Sequence, residues 1–461
     1  MVNTSADSPL FALPLELREQ IYKDVLFEPT SGTGLLLACK EIHSVAHKFI
    51  YQRSLIFRGQ NALHEWIRHT PPEYLHYVTT IVIELHEVDL KPILDRPVSH
   101  TRNDSPPHLA TWELHEKEID KLCESMRKLH KLRSLTVRGL PRRPSYFYRE
   151  FIDRFLKALG SVWKDLQELN LEGCIYQQSL DFLSSLSDLR SFSFDGFSRT
   201  SDTATLSVLA GLRHLTSLTI VSQPQFPTPS DSPYFGHVPL KRQSVTSEII
   251  SATLQLSSFA VTERPLHIPS PAMFFTPEVF TSLQHHATLR KFSTSLTYTP
   301  NSETLGSLAA FLQKSSITML ELDWPDLTVE TLRTYTILSE KLREMWVRVT
   351  SISVASGILE LIIAKREGGD ATELRTVVLM RDNWDDGDST GTNQSHSGLG
   401  EERAERMESV AHSKSDIHIS PATSSDPAPI LSCQMEQLQL LGIKLLWHTV
   451  SACHTFPRAI I

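Results

Sequence analysis

Apolar residues recur with two different spacings along this chain, and the change of spacing divides it into two regions. Near the N-terminus, Leu17, Ile21 and Val25 follow one another at intervals of four. This spacing predicts an amphipathic helix that begins near Pro14, a residue well suited to a first helical turn. A similar spacing over residues 35–51 predicts one longer second helix. Together these segments predict a small helical unit over residues 9–60.

From about residue 75 onward, a six-residue phrase with apolar residues at positions one, four and six recurs. Alternation in its second half predicts a strand that buries every other side chain. Amphipathic helical patterns separate the phrases, so we predict an α/β fold in which parallel strands alternate with helices. The phrases begin at Val78, Leu132, Leu166, Leu189, Leu215, Leu256, Leu289, Ile317, Leu342, Leu374 and Met435.

The phrase that runs from Leu166 to Cys174 resembles the leucine-rich repeat, whose units have about 20–29 residues. The next phrases follow after 23 residues at Leu189 and after 26 more at Leu215, and most later intervals are longer. This spacing favours an irregular leucine-rich-repeat solenoid interrupted by insertions. The alternative is an ordinary α/β domain whose buried strands share one apolar pattern.

The helical unit carries two further motifs. Residues 13–22 read Leu-Pro-x-Glu-Leu-x-x-x-Ile-Tyr, and residues 36–42 read Leu-Leu-x-Cys-Lys-x-Ile. These motifs resemble the shortened F-box-like modules that are abundant in filamentous fungi. The resemblance implies that the unit docks a Skp-type adaptor of a cullin–RING (SCF-type) ubiquitin ligase. The adaptor-binding residues that it implies are Leu13, Pro14, Leu17, Ile21, Tyr22 and Val25.

The sequence therefore predicts five regions. They are a flexible tail at 1–8, an F-box-like module at 9–60, a leucine-rich-repeat-like solenoid at 61–384, a disordered loop at 385–429, and a C-terminal solenoid strand and cap at 430–461. The loop is predicted because its few apolar groups cannot offset the entropy lost on ordering.

Composition narrows the function. The 461 residues carry a formal net charge of −8, which argues against a nucleic-acid partner. The five cysteines are scattered without disulfide or zinc spacing, which favours a reduced compartment, cytoplasmic or nuclear. No stretch is apolar for long enough to predict a membrane span, and the N-terminus lacks the pattern of a signal peptide.

Candidate chemistry is sparse. No P-loop, dinucleotide fingerprint or nucleophile elbow occurs in the sequence. His285 and His286 are the tightest histidine pair, but adjacent side chains face different ways. We therefore expect no enzyme activity, no catalytic residues, no cofactor and no metal site.

The surface of the predicted solenoid offers a candidate instead. In the phrase that begins at Leu342, the alternation should turn Arg343, Trp346 and Arg348 to one outer face. A tryptophan between two arginines is typical of an interface hot spot, and the alternative is that Trp346 belongs to the core.

The first hypothesis is thus a non-catalytic substrate-recognition subunit of a cullin–RING ligase, with a Skp-type adaptor and an unknown protein substrate as partners. The alternative is a scaffold or recognition protein whose F-box-like segment only caps the solenoid, because solenoid ends need covering.

Overall fold

The computed structural model describes residues 9–27, 34–89, 107–139, 145–173, 178–222, 242–243, 245–253, 255–263, 273–369, 373–381 and 428–449. In these ranges, three N-terminal helices precede a long parallel sheet with helices between its strands. The helices are α1 Leu15–Phe27, α2 Gly34–Leu37, α3 Lys40–Gln52, α4 Gln60–His69, α5 Pro72–Leu75, α6 Pro107–Arg127, α7 Tyr146–Val162, α8 Asp202–Gly211, α9 Ser247–Ala252, α10 Pro277–Leu283, α11 Ser302–Lys314, α12 Val329–Thr334, α13 Ile352–Glu367 and α14 Ala428–Leu440, with a 3-10 helix at Asp181–Ser185.

The strands are β1 Leu55–Arg58, β2 Thr80–Glu84, β3 Ser134–Arg138, β4 Glu168–Glu172, β5 Ser191–Phe194, β6 Phe197–Ser198, β7 Ser217–Ser222, β8 Arg242–Gln243, β9 Ser258–Glu263, β10 Lys291–Leu296, β11 Met319–Asp323, β12 Glu344–Val349, β13 Thr376–Arg381 and β14 Lys444–Thr449. Twelve of them form one sheet in the order β1-β2-β3-β4-β5-β7-β9-β10-β11-β12-β13-β14, and every neighbouring pair is parallel. β6 and β8 form a separate antiparallel pair. The prediction of an α/β fold with parallel strands is confirmed, and the strands lie in the sheet in sequence order.

The register explains why one phrase recurs. Phe192 of β5 lies opposite Leu218 of β7, and Leu218 lies opposite Phe259 of β9. Phe259 in turn pairs with Phe292 of β10, and all four side chains are fully buried. Apolar residues at equivalent positions thus stack from strand to strand. Helical aromatic residues close the same core, for example Phe311, whose ring lies 5.5 Å from that of Phe292.

Two sequence predictions of secondary structure are wrong. The phrase at Met435–Leu440 is the end of α14, and the strand follows at Lys444–Thr449. Apolar residues at Met435 and Leu438 are three apart, a spacing that suits a helix as well as a strand. The single helix predicted over 35–51 is two helices, because Cys39 has an extended backbone and its Sγ accepts the N–H of Ile42 at the start of α3.

The domain boundary predicted at residue 60 lies too far along the chain. β1, at Leu55–Arg58, pairs with β2 in the main sheet, so the N-terminal module ends with α3. The predicted tail at 1–8 lies outside the described residues. Of the loop predicted at 385–429, positions 385–427 also lie outside them, and α14 begins at Ala428.

Two hydrophobic cores are present in the described part of the chain. The larger one runs through the solenoid from Phe57 to Ile443. The smaller one belongs to the N-terminal module alone and consists of Tyr22, Leu26, Leu36, Ile42, Ala46 and Phe49. Aromatic rings join the two units: Tyr51, at the end of α3, stacks on Tyr74 of α5 at 5.0 Å and lies 6.3 Å from Trp66 of α4.

Candidate interaction surfaces

The first candidate surface is one side of α1. Leu17, Ile21 and Val25 lie on it, with relative exposures of 52%, 39% and 37%. The opposite side of the helix buries Tyr22 and Leu26 in the core of the module. An amphipathic helix normally buries its apolar stripe, so three exposed apolar residues on a folded helix make this side of α1 a candidate interaction surface.

The other residues predicted to bind an adaptor are placed differently. Pro14 is exposed and Leu13 is half-buried just before α1 begins. Tyr22 is 1% exposed and packs in the module core, so its predicted direct contact with a partner is corrected. The reason is helical geometry: Tyr22 follows Ile21 by one residue, which turns it about 100° away from the exposed stripe.

Two ion pairs hold the exposed side of α1 in place. Arg18 donates to the Glu41 carboxylate of α3 at 2.8 Å, and Lys48 of α3 reaches Glu19 at 2.6 Å. Both pairs are partly exposed, so each contributes at most about 1 kcal/mol. Their effect is orientation: they fix α1 across α3 while the apolar stripe stays outside.

The second candidate surface is the face of the sheet opposite the helices, here called the open face. On β12, Met345, Val347 and Val349 are buried, whereas Glu344, Trp346 and Arg348 are half-buried and point to the open face. Trp346 is therefore not a core residue. Its indole Nε1 donates to the Glu344 carboxylate at 2.5 Å, and its ring meets His448 of β14 edge-on at 5.8 Å.

Arg343 does not share this face, contrary to the prediction. It lies one residue before β12, is exposed, and pairs with Glu373 at 2.8 Å. Glu344 occupies the open-face position that the sequence predicted for Arg343. Arg348 does lie on the open face, where it pairs with Asp323 at 2.9 Å. The arginine–tryptophan cluster predicted from the sequence is thus a Glu344–Trp346–Arg348 row.

Charged side chains also cross the open face at its other end. Arg138 of β3 lies between Glu84 and Glu172, at 3.6 Å and 2.7 Å respectively. Register places these three residues side by side on β2, β3 and β4. At this end of the open face, the positive charge of Arg138 therefore partly neutralises the two glutamates beside it.

The sequence did not predict one polar cluster, because its members are far apart in the chain. The Nδ1 atom of His64 on α4 lies 2.8 Å from the Ser125 hydroxyl, and Nε2 lies 3.1 Å from the Glu118 carboxylate, both on α6. The arrangement has the residue types of a hydrolase triad. Ser125, however, is nine-tenths buried inside a helix, whose backbone N–H groups are already bonded and cannot form an oxyanion hole. The cluster joins α4 to α6.

The two adjacent histidines, His285 and His286, lie in different environments. His286 is buried and its Nε2 bonds to the carbonyl of Ile250 at 2.8 Å, whereas His285 is exposed. Among the described residues, no group of three or more histidine, cysteine or acidic side chains could hold a metal ion. No helix in the same ranges has both the length and the apolar content to cross a bilayer.

Comparison with known proteins adds two structures. The crystal structure of the Rad7 and Elc1 complex in yeast is similar over 79% of this chain and 89% of that one, with 12% identity and a TM-score of 0.33. A sugar phosphate isomerase/epimerase from Parabacteroides distasonis ATCC 8503 aligns over 55% of this chain and 92% of its own, with 8% identity and a TM-score of 0.15. TM-scores of this size establish no shared fold. No protein-family model and no curated protein matches the sequence.

Proposed function

We propose that this protein is a non-catalytic recognition subunit of a cullin–RING ubiquitin ligase. Its N-terminal module docks a Skp-type adaptor through α1, and its solenoid presents a protein substrate. The observation that carries the proposal is the exposed stripe of Leu17, Ile21 and Val25 on a helix whose other side is packed. The F-box-like motifs at 13–22 and 36–42 supply the identity of the partner.

The separation of the two hydrophobic cores supports separate roles, with adaptor docking by the module and substrate binding by the solenoid. The core residues of the module pack among themselves. Its aromatic contacts with the solenoid include those of Tyr51 with Tyr74 and Trp66 and that of His47 with Tyr74. A unit that folds on its own core can carry a partner on its outer side without disturbing the sheet. The open face of the solenoid is the surface that remains for the substrate.

Adaptor docking is tested with the full chain and a purified Skp-type adaptor. We expect Leu17→Asp/Ile21→Asp to weaken binding by about 2 kcal/mol or more, since both residues would be desolvated at the interface. The matched control is Asn61→Asp/Gln284→Asp, which adds the same two charges at exposed polar positions outside α1. The control should bind like the unmutated chain, and all proteins should melt within a few degrees of one another.

Two results would count against the proposal. One is the absence of adaptor binding by the unmutated chain at micromolar concentration. The other is equal weakening by the stripe variant and the control. In the first case the module is tested as a cap instead, because deleting residues 9–52 should then lower the melting temperature of the solenoid.

A further inference from the structure

The residues at which the chain enters the strands form a continuous row along one edge of the sheet, here called the entry row. The backbone N–H of Arg190 donates to the carbonyl of Gln167 at 2.8 Å, and that of Arg343 donates to the carbonyl of Thr318 at 2.8 Å. The same bond repeats between neighbouring strands of the sheet from β2 to β14. The members of the row, in order along the sheet, are Thr79, Arg133, Gln167, Arg190, Thr216, Ser257, Arg290, Thr318, Arg343, Arg375 and Lys444.

The entry row is basic. Six of its eleven residues are arginine or lysine, all six are exposed, and none of the eleven is acidic. Neighbouring strands are spaced by about 4.8 Å, so the nine intervals from β3 to β14 set Arg133 and Lys444 about 43 Å apart. The row therefore places a long line of positive charge on a chain whose formal net charge is −8.

Most of these charges have no carboxylate partner. Arg343 pairs with Glu373 at 2.8 Å. Arg290 donates from Nη1 to the carbonyls of Ala287 and Ser316, at 3.1 Å and 3.3 Å, which holds its guanidinium along the edge without neutralising it. In the part of the chain that the structure describes, the row cations that form no ion pair also include Arg133, Arg190, Arg375 and Lys444.

Acidic residues lie beside the entry row without cancelling its charge. The three positions before each member contain four carboxylates and four cations, so these turns add no net charge. The carboxylates are those of Asp165, Asp188, Glu340 and Glu373, and the cations are Lys131, Lys164, Arg213 and Lys341. The charged residues at the position after each member are Glu168, Lys291 and Glu344, which together subtract one charge from the six of the row. The strip around the entry row thus keeps an excess of five positive charges.

The spacing of the charges selects the kind of polyanion. A nucleic-acid strand carries a phosphate about every 3.4 Å, so some phosphates would face Asp165, Asp188 and Glu340. A polypeptide can instead place acidic residues opposite the cations and neutral residues opposite these carboxylates. Arg133 and Arg190 are two strand intervals apart, about 9.6 Å. A polyproline II segment presents the same face every three residues, about 9.3 Å, and therefore matches this separation.

We propose that the entry row binds an extended acidic segment of a partner protein. Carboxylates about three residues apart on that segment pair with the unneutralised arginines of the row, such as Arg133 and Arg190. This inference rests on the receptor half of the proposed function and names the class of substrate. It concerns the chain without the adaptor, so the two are tested separately.

The probe is a fluorescein-labelled peptide of about 15 residues with the repeat Glu-Ser-Pro, some 46 Å long when extended. Fluorescence anisotropy with the full chain should show binding of this peptide and none of the same peptide with glutamine for glutamate. Arg190→Glu/Arg375→Glu should weaken binding by about tenfold or more. The control Lys117→Glu/Arg199→Glu makes the same charge change at exposed positions on α6 and after β6, and should change the affinity by less than about threefold.

Both variants should keep the melting temperature and the adaptor binding of the unmutated chain. If Arg190→Glu/Arg375→Glu is unstable, Arg190→Gln/Arg375→Gln replaces it, with Lys117→Gln/Arg199→Gln as its control.

Equal weakening by the row variant and its control would overturn the proposal, because only net charge would then matter. So would equal affinity for the two peptides. Tighter binding of an oligothymidylate of the same length, abolished by the row variant, would also overturn it, since the partner would then be a nucleic acid. Absence of peptide binding with adaptor binding intact would remove this inference alone and leave the proposed docking in place.

Discussion

Two tryptophans show how position on the sheet decides what a residue does. Trp324 is buried, and its indole N–H donates to the Thr294 hydroxyl at 2.9 Å. Thr294 occupies an inward position of β10 although it is polar, because that N–H and the carbonyl of Glu321 satisfy its hydroxyl. Trp346 lies on the open face instead and stays half-buried.

We expect the two tryptophans to respond differently to truncation. Trp324→Ala should lower the free energy of unfolding by about 3–5 kcal/mol, as for a core aromatic residue. Trp346→Ala should cost less, about 1–2 kcal/mol, since part of its surface is already in water. Urea denaturation of both variants measures this difference. Equal costs would place Trp346 in the core and remove it from the candidate partner site.

We expect protonation of His286 to destabilise the solenoid at acid pH. Burial lowers the pKa of His286, and its hydrogen bond to the carbonyl of Ile250 offsets this only in part. The folded protein therefore holds the neutral ring at a pH where the unfolded chain, with a pKa of about 6.5, takes up a proton. Stability is fully present above that pH and is lost as the pH falls toward the lowered pKa.

His286→Gln should make the protein less sensitive to acid. Glutamine can place its amide N–H near the position of Nε2 without titrating, so the fall in melting temperature between about pH 6.5 and pH 5 should shrink. His285→Gln is the control, because His285 is exposed and next in sequence. An unchanged pH profile for His286→Gln would rule out this histidine as the source.

At the scale of elements, a buried carboxylate holds the segment Met273–Phe275, just before α10. Glu263 ends β9, and its Oε1 accepts the backbone N–H groups of Met273, Phe274 and Phe275, at 3.2 Å for the first and 3.0 Å for the last. Its Oε2 accepts the hydroxyl of Tyr298 at 2.8 Å. One side chain thus ties the start of α10 to the ends of β9 and β10.

Removing this carboxylate should be costly. Glu263→Ala leaves several buried donors without a partner and should lower the free energy of unfolding by about 3 kcal/mol or more. Glu263→Gln keeps one acceptor and should cost less. Glu321→Ala is the control, because its ion pair is partly exposed and worth at most about 1 kcal/mol. Comparable losses for Glu263→Ala and Glu321→Ala in chemical denaturation would contradict this account.

At the scale of the whole molecule, we expect the two hydrophobic cores to respond separately to a mutation that creates a cavity. The solenoid core is continuous along the stacked strands, whereas the module has its own small core. A cavity in one should therefore leave the other largely unaffected, since distant sites without shared contacts act independently.

Leu26→Ala should test this independence. Leu26 is fully buried in the module, so the change should cost the module about 2–5 kcal/mol. Hydrogen exchange should then speed up within residues 9–52 and stay unchanged in β9 to β12. The control Leu320→Ala, in the middle of the sheet, should do the reverse. Faster exchange throughout both units in either variant would show a single cooperative core.

The sequence by itself was enough to predict the parallel α/β class, most of the strands and which of their residues face the core. Alternation comes from the geometry of the extended backbone, so a strand such as Glu344–Val349 can be read without knowing its neighbours. The same reasoning failed where one spacing suits two structures, as at Met435–Leu440.

Only the tertiary structure decided which apolar residues of α1 remain outside. Leu17 and Ile21 are as apolar as Leu26, and the sequence does not say which side α3 will cover. It also decided that His64 meets Ser125, 61 residues away, and that Glu84, Arg138 and Glu172 lie side by side on the open face. Such sites depend on contacts between distant segments, and those contacts form only when strands and helices have packed in register.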